Sequence, residues 1–227
     1  QAERMSATEL RSGVLLSQAD GTYRFEPLPN LAQIAPWQGT VAGDFDGDGH
    51  ADIYAVQNSF APNPSVGRLD GGLSQLLRGD GHGHFTPVPP AESGLVVTGD
   101  AKALVVLDLN NDGWPDFFLT RNNDATLAFE NRGLPGRHAL KINLRGRAGN
   151  PVAVGARLTL QTTDGAVQTA EVQAGAGYYS QSSAATFFGF TDANPPTKLH
   201  VRWPSGTISD HDIPTGVFTL TLKDPAL

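Results

Sequence analysis

Asp44-Phe45-Asp46-Gly47-Asp48-Gly49-His50-Ala51-Asp52 and its counterpart Asp108-Leu109-Asn110-Asn111-Asp112-Gly113-Trp114-Pro115-Asp116 decide how the chain is read. Each places an oxygen-bearing side chain at positions 1, 3, 5 and 9 and a glycine at position 6. Each is entered from a largely apolar run, Thr40-Val41-Ala42-Gly43 or Ala103-Leu104-Val105-Val106-Leu107, and left by another, Ile53-Tyr54-Ala55-Val56 or Phe117-Phe118-Leu119. Short apolar runs around an Asp- and Gly-rich turn read as strands. Both acidic segments are therefore expected to be loops joining two strands.

Working outward, an internal repeat aligns Leu16 with Leu76, Asp20 with Asp80, Gly21 with Gly81, Phe25 with Phe85, and Pro27 with Pro87. Each copy reads as strand, Asp-Gly turn and strand, which is a hairpin. An acidic loop follows each hairpin, so a unit of roughly 60 residues holds about four strands, the size of a propeller blade. Beyond residue 129, Glu130-Asn131-Arg132-Gly133-Leu134-Pro135-Gly136 reads as a linker. The boundary is placed there, giving domains 1–134 and 135–227. Downstream, residues 139–144, 156–161, 167–172, 186–190, 199–203 and 217–222 alternate or run apolar between Gly, Asp and Pro turns, as sandwich strands do. The predicted fold is all-β, a partial β-propeller of about two blades followed by a β-sandwich-like domain.

Composition agrees: 26 Gly and 16 Pro among 227 residues, with 17% charged, suit short strands and tight turns rather than long helices. A net charge of -7 argues against a nucleic-acid partner, which requires clustered Lys and Arg. With no cysteine there is neither a disulfide framework nor thiolate chemistry. No apolar run approaches the ~18 residues of a membrane span. The first ten residues lack the basic start and apolar stretch of a signal peptide, so an exported protein would have its signal removed or upstream.

The loops carry the chemistry. Two carboxylates ~5 Å apart repel by roughly 3 kcal/mol at an effective dielectric of 20, so several such pairs call for a cation. Oxygen donors at positions 1, 3, 5 and 9, with the carbonyl of position 7 turned inward by a glycine at position 6, suit Ca²⁺ before Mg²⁺ or Zn²⁺. An EF-hand would need a bidentate Glu at position 12, where Ala55 and Leu119 stand. The competing reading is that Asp, Asn and Gly simply populate turns. Neutral Asn110 gives the second loop one negative charge fewer.

DFDGDGHAD followed by IYAVQN, and DLNNDGWPD followed by FFLTRNN, resemble the FG-GAP/VCBS repeats of integrin-like β-propellers, and LLRGDGHGHFTPV is similar to the end of such a blade. The resemblance implies one Ca²⁺ held by Asp44, Asp46, Asp48, Asp52 and the His50 carbonyl. A second would be held by Asp108, Asn110, Asp112, Asp116 and the Trp114 carbonyl. GNPVAVGARLTL, EVQAGAGYYSQSS, FFGF and VRWPSG resemble the ASPIC/UnbV domain, which often follows FG-GAP repeats in secreted bacterial proteins and in cartilage acidic protein relatives. Pro151-Val152 departs from it, standing where that family often has charged residues.

Other candidates have competing structural readings. His82 and His84 could form a metal pair or flank a hairpin turn. Arg78-Gly79-Asp80 spells an adhesion tripeptide, yet it falls on a repeated turn. Tyr178 to Ser183 and Arg202 to Gly206 could line a sugar or protein surface, or Trp203 could be core. Arg157, Glu171 and Arg202 could form a buried ion network. No nucleophile elbow, zinc-helix or phosphate-loop motif is present. The chain is therefore expected to be a non-enzymatic extracellular, periplasmic or cell-surface module for adhesion, scaffolding or recognition, with a protein or carbohydrate ligand. Two blades leave sheet faces to cover, by the remainder of a longer chain or by self-association into an oligomer or filament. A carbohydrate-binding or enzymatic C-terminal half is the further alternative.

Overall fold

A computed structural model describes residues 6–60 and 63–227. The first hairpin is β1 (Gly13–Ser17) with β2 (Tyr23–Pro27). Its turn is tied by Asp20, which accepts the Thr22 N–H at 3.0 Å. Next come β3 (Trp37–Gly43), β4 (Asp52–Gln57), β5 (Gln75–Gly79) and β6 (Phe85–Val88), antiparallel neighbours in chain order. β5 and β6 repeat the first hairpin, with Asp80 accepting the N–H groups of His82 and His84. A third sheet holds β7 (Ala101–Leu107), β8 (Asp116–Arg121) and β9 (Asp124–Phe129).

These sheets pack on one another because β4 is apolar on both sides and β8 on one. β4 is buried throughout. Its Ile53 joins Leu28, Ala32 and Leu77 under the first hairpin, while Tyr54 and Val56 join Phe45, Leu104, Phe117 and Leu119 between the second and third sheets. Phe45 meets Phe117 edge-on, ring centroids 4.8 Å apart. Each such side chain taken from water contributes about 1.5–3 kcal/mol. Strand β3 lies so close to β7 that a Cβ at Gly39 would come within 2.8 Å of the Leu104 backbone nitrogen.

The remaining strands are β10 (Arg137–Arg145), β11 (Arg157–Thr162), β12 (Val167–Glu171), β13 (Thr186–Thr191), β14 (Pro196–Arg202), β15 (Ile208–Asp212) and β16 (Thr219–Lys223). One sheet runs β13-β10-β16, with β10 and β16 parallel, and the other runs β12-β11-β14-β15. Leu140, Ile142, Leu158, Leu160, Phe188, Leu199 and Val201 fill the space between them. The six expected strands are present. β15 is additional, an edge strand of Ile-Ser-Asp-His-Asp whose single apolar residue gives no hydrophobic signal.

β10 has two different faces because side chains alternate along a strand. Leu140, Ile142 and Leu144 enter the core between the sheets. Arg137 and Lys141, two pleats apart on the other face, reach the acidic loops.

Candidate metal centres

The acidic loops connect the first two strands of their sheets, β3 to β4 and β7 to β8, and are built alike. Position 9 fastens each loop to its surroundings. Asp52 accepts the N–H groups of Phe45 and Gly79, both at 3.0 Å, and Asp116 accepts those of Leu109 and Asn131 at 2.7 and 2.8 Å. A ligand role for these two carboxylates draws on their remaining lone pairs. Position 1 gathers the turn: Asp44 accepts from Gly47, Asp48 and Gly49, and Asp108 from Asp112 and Gly113. At position 5, Asp48 and Asp112 accept the N–H of His50 and Trp114, each at 2.9 Å. The position-6 glycines share a φ of 92°, a left-handed conformation that explains the residue type.

The loops differ in their donor sets. Asp44, Asp46 and Asp48 each bring a carboxylate oxygen within 4.8 Å of the others, the one such trio of acidic or histidine ligands among the described residues. Asp46 Oδ1 is buried without an aligned hydrogen-bond donor. Arg137 Nη1 lies 2.5 Å from it, but that contact is an ion pair by distance only. The other oxygen, Oδ2, accepts from Arg78 Nε at 2.7 Å, and Arg78 also pairs with Glu92. A buried carboxylate oxygen lacking a directed donor, beside two further carboxylates, fits a cation that binds without directional demand. In the second loop Asn110 Nδ2 donates to Asp112 Oδ2 at 2.8 Å, and Lys141 Nζ sits 2.8 Å from Asp108 Oδ2.

Burial sets the electrostatics. It pushes Asp44 up to about 7, against the lowering effect of the Gly49 and Gly47 N–H groups and with the help of the Asp48 and Asp52 charges. Asp52 is likewise pushed up to about 6, and Asp116 is raised, in both cases by burial first. Carboxylates crowded and desolvated in this way lose their protons more readily beside a cation.

Several features that the sequence reading passed over complete the site. Gly189 of β13 lies against Asp44 and Gly47, so that any Cβ there would overlap the Asp44 carboxylate. Asn131 Nδ2 donates to the Phe45 carbonyl at 2.8 Å, joining the first loop to the second through the Asn131–Asp116 bond. The Trp114 ring approaches both Gly47 and Gly133. A cleft of about 780 Å³ runs beside the first loop between Thr40, Asp44 and His50 on one side and Gln168, Glu171 and Ser182 on the other. The sequence reading contained none of these contacts; the one signal it left unused is the pair of cations, Arg137 and Lys141, on a single face of β10.

The weaker candidates resolve into packing and turns. His82 and His84 are exposed, with their backbone N–H groups on Asp80. Arg78 of the tripeptide is engaged by Asp46 and Glu92. Trp203 is 1% exposed, donating Nε1–H to Ser209 at 2.8 Å, while Tyr179 is 90% exposed, so the two do not form one aromatic platform. Arg157, Glu171 and Arg202 are register neighbours but exposed, and no ion pair closes between them.

Comparison with known families adds two matches. The family model for the FG-GAP-like repeat matches residues 5–55, which include the first hairpin and the first acidic loop. The model for ASPIC and UnbV matches residues 146–226. The chain thus has the order of parts that the two resemblances implied, an FG-GAP-like repeat followed by an ASPIC/UnbV domain. No curated protein matches the sequence.

Proposed function

We propose that the chain is a non-catalytic, extracytoplasmic adhesion, scaffold or recognition module whose first acidic loop holds Ca²⁺ as a structural ion. The observation that carries this reading is the Asp44, Asp46 and Asp48 trio with its buried, undirected Asp46 oxygen. A bound Ca²⁺ would neutralise that cluster. Asp44, Asp46 and Asp48 would hold it, and Asp52 and the glycine turn would orient them. FG-GAP-like repeats are typical of extracellular proteins, where millimolar calcium suits sites of modest affinity, 10⁻⁴–10⁻³ M on the order of magnitude. Among the described residues no helix is long and apolar enough to cross a membrane. The ligand, a protein or a carbohydrate, would enter the cleft beside the loop.

Calorimetry of chelator-stripped protein with Ca²⁺, paired with thermal melts, tests the reading. Binding with a raised melting temperature, both abolished by Asp48→Asn, is expected. Wild-type protein that neither binds Ca²⁺ nor gains stability from it would leave the loop an ordinary turn. A second reading, self-association, is favoured by the outer face of the first hairpin, where Leu15 and Tyr23 are 67% and 69% exposed. Sedimentation over a concentration series separates the two, since a monomer at every concentration rules out the assembly.

A further inference from the structure

Lys141 stands on the face of β10 that turns away from the core. It follows Leu140 and precedes Ile142, both fully buried in the core between the C-terminal sheets, yet its own side chain turns the other way and ends 2.8 Å from Asp108 Oδ2. The Asp108 side chain is 1% exposed and that of Lys141 15%. Asp108 holds position 1, so the ammonium is paired with a carboxylate that a metal ion in this loop would need as a ligand. One further member of the donor set departs from an all-acceptor cage. Asn110 turns its amide N–H toward Asp112, placing a donor between two positions where a metal needs acceptors. In the first loop the corresponding Asp44 has no cationic partner among the described residues, and the two arginines fall on Asp46, with Arg137 also 3.7 Å from Asp48 Oδ2.

An ammonium delivers one charge and three donors from a fixed point, whereas Ca²⁺ needs six to eight oxygens. It cannot enter the second loop without first expelling Lys141, and the Asp108 carboxylate is too buried to be left with neither cation.

We propose that Lys141 takes the place of the metal in the second loop, so that the chain binds one Ca²⁺ and the Lys141–Asp108 pair is a metal-independent latch between the β7–β8 loop and the C-terminal sheets. The proposal rests on the reading of the first loop as the calcium site and narrows the two ions implied by resemblance to one.

Calcium titration of chelator-stripped wild-type protein and of Lys141→Met, with melts of both in chelator and in calcium, tests it. One ion is expected for the wild type, lost in Asp48→Asn. In chelator Lys141→Met is expected to melt several degrees lower. Calcium is expected to restore more of its melting temperature than it adds to the wild type, with two ions bound. Two ions on the wild type, one of them lost in Asp112→Ala, would overturn the proposal, as would a Lys141→Met protein matching the wild type in stoichiometry and melting. If Lys141→Met does not fold, the wild-type stoichiometry still decides. Failure of the underlying reading looks different, because the wild type then binds no ion. In that case the latch is judged by melts in chelator alone: Asp108→Asn and Lys141→Met must each lower the transition and their double substitution must cost no more than either. Additive losses would refute it.

Discussion

Replacing Gly189 by alanine puts one methyl group against the first acidic loop. The new Cβ would lie 1.9 Å from Asp44 Oδ2 and 2.7 Å from the Gly47 Cα, so an opening of about 1.5 Å is needed to restore ordinary contact. Neither side yields freely. Gly189 is buried mid-strand in β13, paired with Ala139 of β10, and its carbonyl accepts from Gln168 Nε2 at 2.7 Å. Asp44 is 7% exposed with Oδ2 held by the Gly49 N–H at 2.6 Å. Moving the strand is overpacking, at about 1–3 kcal/mol, and swinging the carboxylate off Gly49 forfeits a charged hydrogen bond of about 1.5–3 kcal/mol. The cheaper route sets the loss, about 2 kcal/mol. At about 2–4 °C for each kcal/mol in a chain of this size, the melting temperature should fall by about 4–8 °C. Calcium affinity should fall about tenfold if the carboxylate is the part that moves. Melts and calorimetry of Gly189→Ala, with Gly71→Ala as a control whose Cβ would make an ordinary 3.6 Å contact, read both quantities. A Gly189→Ala protein as stable as the control, with unchanged calcium affinity, would refute the packing of β13 on the loop.

Three further outcomes are expected. In chelator, stability should fall from pH 5 to pH 7.5. A buried Asp44 held near 7 keeps its proton where the unfolded chain, at 3.8, has lost it, so the stabilisation is complete below about pH 4 and gone above about pH 7. At 1.36 kcal/mol for each pKa unit, the part lost between pH 5 and pH 7.5 amounts to about 2.5 kcal/mol. Asp52 acts in the same direction, saturating calcium should flatten the slope, and chelator melts that rise over this window would contradict the burial of these carboxylates. Arg137→Gln, which removes a tethered cation from Asp46, should lower the chelator melting temperature and enlarge the gain on adding calcium; an unchanged gain would mean the guanidinium does not compete. Trp203→Ala should cost about 3–5 kcal/mol in denaturant unfolding with no loss of calcium binding, as expected for a core residue remote from the loops.

The sequence was most legible where local chemistry and tertiary role coincide. The Asp20 and Asp80 turns, the two acidic loops and the apolar strands beside them obey short-range rules, and each is found where those rules put it. Legibility fails where a residue's work is done across the fold. Arg78 reads as part of an adhesion tripeptide but holds Asp46, 32 residues away. Asn131 reads as linker but bonds the carbonyl of Phe45. Gly189, within an aromatic strand, is a glycine because a carboxylate of the other half of the chain leaves no room for a Cβ. Spacing along the chain cannot encode these contacts, because they depend on how β10 and β13 dock against the loops.

That docking also bears on why the acidic loops adjoin the C-terminal sheets rather than lying free at the surface. A loop of three or four carboxylates is a poor surface to bury, since every desolvated charge needs a partner. Here β10 brings Arg137 to one loop and Lys141 to the other, four residues apart and on the same face, as the pleat requires. The leucines and isoleucine between and beyond them anchor that strand in a separate core, so the two cations are held by packing rather than by the loops they serve. Charge neutralisation is thereby tied to domain docking: separating the halves would leave Asp46 with Arg78 alone and would remove the Lys141 partner of Asp108. On this argument calcium and the C-terminal domain act on the same acidic groups. An ion in the first loop would supplement the charge that Arg137 supplies, and in the second loop Lys141 is the cation that β10 supplies.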